Sequence, residues 1–415
     1  MILGRQPSLG LAELESLYGP DKLQKVGNKA VIVDIDPCLM AFDRLGGSLK
    51  FCKLLTTLNT TKWSEIEQFL LKVSPEQSKL MPAGKMRLGL SVLGLNVDVK
   101  QLHKTGLSLK KAIRKQTERS VRFVPNEELE LNSAKVLHNN LTGPNGWELV
   151  FICDGENQHT IVAQTVKVQG IGLYAKRDRG RPKRDARVGM LPPKLAQIIV
   201  NLAAGKLPED KLESICDIPA GEQIPLPKLG QTILDPFCGT GVLLQEAYLM
   251  GYQIYGTDLE KRMVEYTSIN LKWLRSDFLK SSTIVGRQPD QIEVGDATTH
   301  TWQSLDIVAS EVYLGSHFTS SPSPEELERA RSNCNLIIRN FMRNIHNQVR
   351  PGTRFCLAVP AWQVKTGEFK HLPLIDQIES LGYNRVKFKH ADESELIYYR
   401  KDQIVARELL VLTRK

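Results

Sequence analysis

The pattern of apolar and polar positions changes near residue 170 and divides the chain into two regions of different character. Before residue 170, short amphipathic helical patterns are mixed with runs of β-branched and aromatic residues. Strands are predicted at 29–35, 85–94, 147–155 and 159–168, and helices at SLGLAELESLY, WSEIEQFLLKV and NSAKVLHNNL. Residues 1–170 are therefore predicted to form an α+β region.

Beyond a basic linker at residues 171–190, strands and helices alternate regularly through residues 191–415. Helices are predicted at 193–203, 241–250, 260–274, 324–347 and near 372–381. Strands are predicted at 231–235, 253–258, 291–296, 305–311 and 353–359, followed by the closing pair ELIYYR and VARELLVLTR. Such alternation indicates an α/β fold with a parallel, doubly wound sheet, and the closing hairpin would make the last strand antiparallel. This layout is that of a Rossmann-like methyltransferase sheet rather than of a dinucleotide dehydrogenase.

The composition is that of a soluble globular protein, with 41% hydrophobic and 24% charged residues in a chain of 415. This length predicts two or three domains. No apolar run approaches the roughly 18 residues that a membrane span needs, and the first residues lack the pattern of a secretory signal. The seven cysteines are scattered without a C-x-x-C pair, which argues against disulfides or a zinc module. We therefore expect a cytoplasmic protein without a metal site.

The formal net charge of +9 is concentrated in two clusters. Residues 100–122 carry a net charge of +7 and residues 176–187 a net charge of +5, which leaves −3 for the rest of the chain. In the first cluster, a helix that starts at Ser108 would place Leu109, Ala112, Ile113 and Gln116 on one side and the cations on the other. Such a helix docks on its own domain and presents cations to a polyanion, although a solvated helix face is the alternative.

The second cluster, KRDRGRPKRDAR, contains a glycine and a proline but few apolar residues, and is predicted to be a loop. An ordinary interdomain linker is the alternative, but seven cations in twelve residues exceed what solubility requires. Two clusters on either side of one predicted domain favour nucleic acid as the partner. The candidate RNA-binding residues are Lys110, Lys111, Arg114, Lys115, Arg119, Arg179, Arg181, Lys183 and Arg184.

The motif ILDPFCGTGVLLQEA places a glycine-bearing turn between a strand that ends at Asp235 and a helix. Gly239 and Gly241 let the backbone approach a ligand closely, and the helix N-terminus offers free N–H groups. A dinucleotide-binding turn normally has three glycines, whereas this one has a carboxylate where a phosphate would lie. Because that anion repels phosphate and suits a cation, S-adenosylmethionine, with its amino group and sulfonium, fits the turn.

Two further acids are predicted at the ends of the next two strands. Asp258 follows Gly239 by nineteen residues, where an acid binds ribose hydroxyls, and Asp296 can accept from an adenine amino group. A strand-end cap is the alternative for each acid alone, but acids at three successive strand ends indicate a ligand site. Cys238 is predicted to be a small buried residue rather than a nucleophile. The candidate cofactor-binding residues are Asp235, Pro236, Cys238, Gly239, Gly241, Asp258, Leu259, Asp296 and Ala297.

These motifs and the block GRPKRDARVGMLPPKLAQIIVNLA closely resemble the THUMP-domain tRNA guanine-N2 methyltransferases. The segments LGRQPSLGLAELESLYG and GLSLKKAIRKQTERSVRFVPNEELELNSAKVLHNNL look like the THUMP-bearing region, so the resemblance covers most of the chain. It implies an RNA-binding N-terminal half before a class I methyltransferase domain, which methylates a guanosine exocyclic amine at position ten of tRNA. It also implies that Asp235, Gly239 and Gly241 line S-adenosylmethionine, with Asp258 at the ribose and Asp296 at the adenine.

The chain departs from this family at the end of the catalytic strand. The family has Asp-Pro-Pro-Tyr followed by Gly there, whereas residues 310–315 read SEVYLG. Matched through Gly315, Glu311 replaces the aspartate and Leu314 the tyrosine; matched through the aromatic residue, Ser310 replaces the aspartate and Tyr313 remains. Either way, an acceptor for the amine and an aromatic ring lie within four residues. The candidate catalytic residues are Ser310, Glu311 and Tyr313, with His317 and Trp362 as weaker candidates for contact with the base.

The sequence therefore predicts an S-adenosylmethionine-dependent methyltransferase that forms N2-methylguanosine in tRNA. Transfer to a flipped base would be direct, without a covalent nucleophile or a metal. tRNA is the expected partner, and a small activating protein subunit is left open. One alternative is a DNA amino-methyltransferase, against which the THUMP-like region argues. The other is a non-catalytic or repurposed RNA-binding protein whose strand end has lost the chemistry.

Overall fold

The computed structural model describes residues 1–185, 191–208, 229–279, 291–303, 305–315, 318, 322–365, 367–400 and 403–415. The chain divides into two units. The amino-terminal unit comprises Met1–Pro7, Leu23–Asp34 and Ser48–Gly172, and the carboxyl-terminal unit comprises Ser8–Lys22, Ile35–Gly47 and Leu173–Lys415. The sequence pattern changes close to the end of the first unit, but two segments that precede the change belong to the second unit.

The helices are numbered along the chain over the described residues. They are α1 (Pro7–Tyr18), α2 (Trp63–Lys79), α3 (Val99–Thr117), α4 (Ser133–His138), α5 (Ile171–Arg179), α6 (Pro193–Ala204), α7 (Val242–Leu249), α8 (Lys261–Trp273) and α9 (Pro324–His346). Within these residues, no helix combines the length and apolar character needed to cross a bilayer.

The amino-terminal unit is built on a mixed sheet. Its strands are β1 (Ile2–Leu3), β2 (Leu23–Val26), β3 (Ala30–Val33), β4 (Ser48–Leu58), β5 (Met86–Leu93), β6 (Val121–Phe123), β7 (Gly146–Asp154) and β8 (His159–Val168). They lie in the order β2-β3-β1-β4-β8-β7-β5-β6. β5 pairs in parallel with β6 and β7, and the other neighbours pair antiparallel.

Helices α2 and α3 cover this sheet with their apolar faces. Trp63 and Ile66 of α2 and Leu109 and Ile113 of α3 are buried in one cluster with Leu88 and other residues of β5. Residues four apart share one face of a helix, so the predicted apolar side of the basic helix is confirmed at Leu109 and Ile113. The amino-terminal unit therefore has the α+β character that the sequence predicts.

The basic helix α3 is longer than predicted, since it begins directly after Asp98, whose side chain caps it by accepting from the backbone N–H of the third helical residue at 2.7 Å. The predicted start at Ser108 is wrong, and Gln116, predicted on the apolar side, is exposed. Gly106 suggests a break in the sequence pattern, yet it lies within the helix. A Cβ at this position would lie 2.2 Å from the Phe123 ring, so packing requires glycine here.

The carboxyl-terminal unit contains the second sheet. Its strands are β9 (Thr232–Asp235), β10 (Gln253–Asp258), β11 (Gln291–Val294), β12 (Ile307–Glu311), β13 (Arg354–Lys365), β14 (Glu368–Lys370), β15 (Tyr383–Arg385), β16 (Ile397–Tyr398) and β17 (Val405–Arg414). The main order is β11-β10-β9-β12-β13-β17-β15, with β14 paired to β13 and β16 to β17.

The direction of the strands is that of a class I methyltransferase sheet. Strands β9 to β13 run in parallel, and β17 pairs antiparallel with β13 over nine residue pairs. Leu234 of β9, Val308 of β12 and Leu357 of β13 are buried with Ile338 and Phe341 of α9. The predicted Rossmann-like sheet with an antiparallel last strand is therefore confirmed.

A buried polar network holds α1 and the segment Ile35–Gly47 within this unit. Glu13 of α1 accepts from the backbone N–H groups of Gly46 and Gly47 at 2.9 and 2.8 Å, and from the Asn201 amide at 2.7 Å. Asn201 in turn accepts from the Arg44 guanidinium at 2.8 Å. Burial is the main cause that raises the pKa of Glu13 to about 7. Each of these groups needs its partners, because buried polar groups without hydrogen bonds are costly.

Two other local predictions are wrong, and one long strand was not predicted. Strand β4, eleven residues long, was not predicted because its second half is exposed on both faces and shows no clear alternation. The basic segment is not wholly a loop, since α5 covers residues up to Arg179. The helix predicted near 372–381 is reduced to a 3-10 turn, Pro373–Gln377.

Candidate active site

Acidic residues end three neighbouring strands of the carboxyl-terminal sheet. Asp235 ends β9, Asp258 ends β10 and Glu311 ends β12. Strand β9 lies between the other two, and all three run in parallel. Asp296 follows β11 at the next position along the sheet. Because parallel strands end at one edge of a sheet, these carboxylates share the edge where open α/β sheets bind ligands.

The predicted glycine turn forms the loop between β9 and α7. Gly239 and Gly241 have φ angles of 52° and 80°, in the left-handed region that favours glycine. A Cβ on Gly241 would lie 2.8 Å from the methyl group of Thr267, so space also requires glycine there. The Gly239 N–H donates to a carboxylate oxygen of Asp258 at 2.9 Å, which joins the loop to the end of the next strand.

Two other residues of the predicted cofactor set, Pro236 and Cys238, are buried within this loop. The backbone N–H of Cys238 donates to the Thr257 carbonyl at 2.9 Å, and the Thr267 hydroxyl donates to its sulfur at 3.8 Å. Burial raises the pKa of the Cys238 thiol well above its usual value. Since the thiolate is the reactive form, Cys238 is a small buried residue, as the sequence predicts, and not a nucleophile.

Asp235 is almost fully buried, and its carboxylate accepts from the Ser310 hydroxyl at 2.6 Å and from the Phe237 N–H at 3.2 Å. Burial is the main cause that raises the pKa of Asp235 to about 7; Asp258 and Glu311 raise it further, against the two hydrogen bonds. Ser310 is itself fully buried. The prediction that Ser310 contacts the substrate is therefore wrong, because its hydroxyl is directed to Asp235.

Asp258 links the glycine loop to the start of α8. One carboxylate oxygen accepts from Gly239, and the other accepts from the backbone N–H of Glu260 at 3.0 Å. Partial burial is the main cause that raises the pKa of Asp258. Each oxygen retains a second lone pair for a ligand hydroxyl. The next residue, Leu259, is 69% exposed and offers an uncovered apolar side chain beside that carboxylate.

Asp296 is exposed at the end of β11, where its Oδ1 accepts from the backbone N–H and the hydroxyl of Thr298 at 2.8 and 2.7 Å. No described residue donates to its Oδ2, which is therefore available to a ligand amino group. Ala297, in contrast, is buried, and its carbonyl accepts from the Asn344 amide at 3.0 Å. Ala297 supports the loop from the core side.

His300 is a residue of this loop that the sequence analysis missed. A Cβ on Gly295 would lie 2.4 Å from its ring, so the imidazole packs directly on the backbone that precedes Asp296. The His300 ring also lies 5.3 Å from the ring of Trp302. A glycine followed at five residues by histidine in GDATTH was visible in the sequence, but nothing in the spacing indicates that the two pack together.

Glu311 forms an ion pair with Arg407 of β17, with 2.8 Å between the Glu311 Oε1 and the Arg407 Nε. Both side chains are largely buried, at 14% and 8% exposure. No described residue donates to the Oε2 of Glu311. The end of β12 therefore holds a carboxylate with one oxygen fixed and one available. Arg407 was not predicted, although a lone cation within the apolar run of β17 was a signal.

The other candidates near the catalytic strand differ in exposure. The Tyr313 side chain is 36% exposed, and Leu314 is half-buried. His317 lies outside the described residues. Trp362 is fully buried in the core cluster of the sheet, so the prediction that it approaches a base is wrong.

Helix α3 presents a cationic face in the amino-terminal unit. Lys111, Arg114 and Lys115 are exposed, and Lys110 is half-buried. Earlier turns of the helix extend this face with exposed lysines at 100 and 104. The buried residues of α3 lie on the opposite side, as the 3.6-residue period requires. The predicted division of this helix into an apolar and a cationic side is therefore present.

Arg119 does not belong to this cationic face. Its guanidinium donates to the carbonyls of Ser78 at 2.8 Å and Gly84 at 3.1 Å, and to the side chain of Asn145 at 2.6 Å. It also donates to the Pro82 carbonyl. Arg119 therefore closes the loop after α2, and an RNA contact at this half-buried residue stays a prediction.

The basic segment after α5 is only partly available to a partner. Arg179 and Arg184 are exposed, and Lys183 is half-buried with its Nζ 5.3 Å from the Tyr266 ring centroid. Arg181 is only 2% exposed, so the predicted RNA contact at this position is wrong. Burial is the main cause that lowers the pKa of Arg181.

The charges and shape of this edge fit S-adenosylmethionine. Asp235 is a buried carboxylate that a bound cation would neutralise, and Asp258 has lone pairs for ribose hydroxyls. The open Oδ2 of Asp296 suits the polar edge of an adenine ring. The exposed side chain of Leu259 suits the face of that ring. The left-handed glycine loop lets a ligand approach the backbone closely.

Comparison with known proteins agrees with this interpretation of the edge. Residues 226–366 match the family model described as RMKL-like, methyltransferase domain. The tRNA (guanine(10)-N2)-dimethyltransferase of Methanothermobacter thermautotrophicus is 30% identical over 173 residues, which is 41% of this chain and 39% of that enzyme. The tRNA (guanine(10)-N2)-dimethyltransferase of Pyrococcus abyssi is 29% identical over 141 residues, 33% of this chain and 32% of that enzyme.

These matches show that residues 226–366 contain a methyltransferase domain, which is similar to the tRNA guanine-N2 methyltransferases. The resemblance seen in the sequence motifs is thereby confirmed. The chain spans less than two fifths of the length of the curated relatives that it matches, so the activity and substrate of the whole protein are inferred below. The crystal structure of TrmN from Thermus thermophilus aligns with all of this chain and 98% of that one, at 13% identity and a TM-score of 0.49. The THUMP-like character of the amino-terminal unit stays a prediction.

Proposed function

We propose that this chain transfers a methyl group from S-adenosylmethionine to the exocyclic N2 of a guanosine in tRNA, in the position-ten class. The observation that carries the proposal is the Glu311 carboxylate, fixed by Arg407 at the edge that also holds the cofactor-binding acids. The names of the sequence relatives support the same reaction.

The acids and the glycine loop would hold the cofactor. Asp258 would bind the ribose hydroxyls, Asp296 the adenine amino group, and Asp235 would balance the positive charge. Gly239 and Gly241 leave room for the ligand beside the backbone. When bound, S-adenosylmethionine supplies an electrophilic methyl group.

The protein's contribution to the transfer is to position and polarise the amine. Arg407 fixes one oxygen of Glu311, and the other oxygen accepts a hydrogen bond from the exocyclic N2. This hydrogen bond orients the nitrogen lone pair toward the methyl group. On methylation the nitrogen would lose a proton, for which the Glu311 oxygen is the proposed acceptor. The exposed ring of Tyr313 would stack on the flipped base.

The remaining assignments complete the proposal. The THUMP-like RNA-binding region would be the amino-terminal unit within residues 1–170, to which Ser8–Lys22 and Ile35–Gly47 do not belong. The basic linker at 171–190 and the methyltransferase domain at 191–415 would follow it. The exposed face of α3 would bind the tRNA backbone together with Arg179, Lys183 and Arg184. We place the protein in the cytoplasm, where its tRNA substrate and a reducing environment are found.

A second candidate function is RNA binding without methyl transfer. It is favoured by the loss of both prolines and by the ion pair that occupies one oxygen of Glu311. A DNA amino-methyltransferase is a third candidate, and the cationic helix of the amino-terminal unit does not by itself distinguish RNA from DNA.

The experiment is methyl transfer to defined transcripts, followed by nucleoside mass spectrometry. Incubation of the purified chain with S-adenosylmethionine and a tRNA transcript is expected to yield N2-methylguanosine. A transcript with adenosine in place of guanosine 10 is the matched control and is expected to remain unmodified. Activity of the chain alone would also show that an activating subunit is not required.

Three results would separate the candidates. Binding of tRNA without any binding of S-adenosylmethionine by the folded protein would support the non-catalytic function. Methylation of duplex DNA but not of tRNA would support the DNA enzyme. Equal methylation of both transcripts would support the methyltransferase function but reject position ten as its target.

A further inference from the structure

The segment Arg181–Asp185, which we call the basic strap, lies along helix α8 of the carboxyl-terminal unit. Asn270 accepts from the Lys183 backbone N–H at 2.9 Å and donates to the Lys183 carbonyl at 2.9 Å. Toward the start of α8, Arg262 pairs with Asp185 at 3.0 Å. Positions 262, 266 and 270 are four residues apart and share one face of the helix, so the strap follows that face.

The same Asn270 side chain also holds the glycine loop. Its Nδ2 donates to the Thr240 carbonyl at 2.9 Å, between the two glycines that shape the loop. One turn earlier, the Thr267 hydroxyl donates to the Gly239 carbonyl at 2.9 Å. Helix α8 thus forms hydrogen bonds both to the glycine loop and to the strap.

The hydrogen-bonding capacity of Asn270 is shared between the strap and the loop. A side-chain amide has two N–H donors and a carbonyl oxygen, and here one N–H serves Lys183, the other serves Thr240, and the oxygen accepts from Lys183. The Asn270 side chain is fully buried, so it cannot replace a missing partner with water. Movement of the strap therefore changes the hydrogen bonding of the glycine loop.

The strap and the loop would have different ligands. Arg184 and the half-buried Lys183 give the strap its cations, whereas the loop is joined through Gly239 to the carboxylate of Asp258. We propose that Asn270 is a positioning residue that couples RNA binding at the strap to S-adenosylmethionine binding at the loop. This inference rests on the proposed function, since it needs both ligands.

The coupling has a defined direction and size. RNA that fixes the strap favours the arrangement in which Asn270 holds the loop, so tRNA should strengthen S-adenosylmethionine binding. Because coupling between two ligands is reciprocal, S-adenosylmethionine should strengthen tRNA binding by the same factor, on the order of tenfold.

The experiment measures this factor in the full chain. The dissociation constant of S-adenosylmethionine is measured by calorimetry without and with saturating tRNA transcript. The wild-type protein is expected to show a gain of about tenfold, and Asn270→Ala to bind each ligand separately with a factor close to one. Ser268→Ala is the matched control, because Ser268 is an exposed residue of α8 whose hydroxyl bonds only within the helix, and it should keep the wild-type factor.

A second pair of variants tests the strap without altering the buried amide. Lys183→Pro removes the N–H that donates to Asn270, whereas Lys183→Ala removes the cation and keeps the N–H. The coupling factor is expected to disappear in Lys183→Pro. In Lys183→Ala, where Arg184 still binds RNA and the N–H to Asn270 is kept, the factor is expected to be reduced but to stay above one. These two variants still test whether Asn270 couples the two ligands if Asn270→Ala does not fold.

The outcomes separate this inference from the proposed function. A wild-type factor near one, with both ligands bound, would overturn the coupling and leave the function standing. Full coupling in Asn270→Ala or in Lys183→Pro would likewise overturn the role of Asn270. Wild-type protein that binds one ligand but not the other would contradict the proposed function itself.

Discussion

At the scale of single residues, the protonation of Asp235 should control cofactor binding. Burial raises the pKa of Asp235 to about 7, so the carboxyl of the free protein is mostly protonated below that pH. A cationic ligand that needs the carboxylate must then displace a proton, and its affinity rises with pH. We expect the affinity for S-adenosylmethionine to increase by up to about tenfold per pH unit between about pH 5 and pH 7, and to level off above, as measured by calorimetry.

Two variants identify the titrating group in that experiment. Asp235→Asn should bind weakly and with little dependence on pH. Glu13→Gln removes another buried carboxyl whose pKa burial raises to about 7, but one that lies outside the cofactor edge. It should keep the wild-type slope, and a slope that persists in Asp235→Asn would assign the titration to a different residue.

The ion pair between Glu311 and Arg407 should be required for activity as well as for stability. Arg407→Met leaves a largely buried carboxylate without its partner, which is expected to lower the free energy of unfolding by about 3 kcal/mol. The freed carboxylate also loses its orientation, so kcat should fall while the KM for tRNA changes little. Urea unfolding and steady-state methyl transfer measure the two effects.

The double variant Glu311→Gln with Arg407→Met separates these two roles. Removing both charges is expected to recover most of the stability, because no unpaired buried charge remains. Methyl transfer should stay low, since the carboxylate that accepts from the amine is absent. A double variant with wild-type activity would show that Glu311 is not the acceptor.

The acids of the site could be predicted from the sequence, whereas most of their partners could not. Asp235 and Asp258 each end a strand, so the strand pattern alone places them at one edge. Arg407 lies 96 positions beyond Glu311, and only the pairing of β17 with β13 brings the two strands close in the sheet. The same limit explains the error at Ser310, whose hydroxyl is directed to Asp235 by a contact across β9 and β12.

At the scale of elements, helix α3 is the part of the amino-terminal unit expected to bind RNA. Replacing Lys104, Lys111 and Lys115 by Gln removes cations from the polar side of this helix without touching the buried side. We expect weaker tRNA binding and a shallower dependence of log K on log salt, by about 0.7 to 0.9 for each phosphate that is no longer neutralised. Fluorescence anisotropy at several salt concentrations measures this slope.

The matched control for that helix is Lys79→Gln. Lys79 is an exposed lysine in the last turn of α2, where it pairs with Glu76 at 2.7 Å. Its replacement should leave the salt slope unchanged. A triple variant of α3 with the wild-type slope would remove this helix from the RNA interface.

Helices and strands could be predicted where burial of one face gives the apolar residues a regular spacing along the chain. The strands of the carboxyl-terminal sheet are short apolar runs between helices, and this alternation predicts that they pair in parallel. Strand β4 lacks such a period because its second half is exposed on both faces. Helix α3 begins at Val99, well before Ser108, because Asp98 caps it and the Phe123 ring requires a glycine at position 106 within it.

At the scale of the whole molecule, the two units are not successive halves of the chain. Helix α1 and Ile35–Gly47 belong to the carboxyl-terminal unit, although strands of the other unit lie between and after them in the sequence. The apolar residues of α1 indicate that it is buried, but the sequence does not reveal what covers it. The contacts of Glu13 identify one element that packs against α1, because the partners of Glu13 include Asn201 of α6.

A fragment cut where the sequence pattern changes should be less stable than the full chain. Residues 173–415 contain the whole second sheet but lack Glu13, so the buried amide of Asn201 loses an acceptor. An unsatisfied buried group costs about 1 to 3 kcal/mol, and removal of the apolar face of α1 adds to this, so the fragment should melt well below the full chain. Circular dichroism and S-adenosylmethionine binding check this, with the full chain carrying Glu13→Gln expected to melt in between. A fragment as stable as the full chain, with the same affinity for S-adenosylmethionine, would show that α1 is dispensable to the methyltransferase fold.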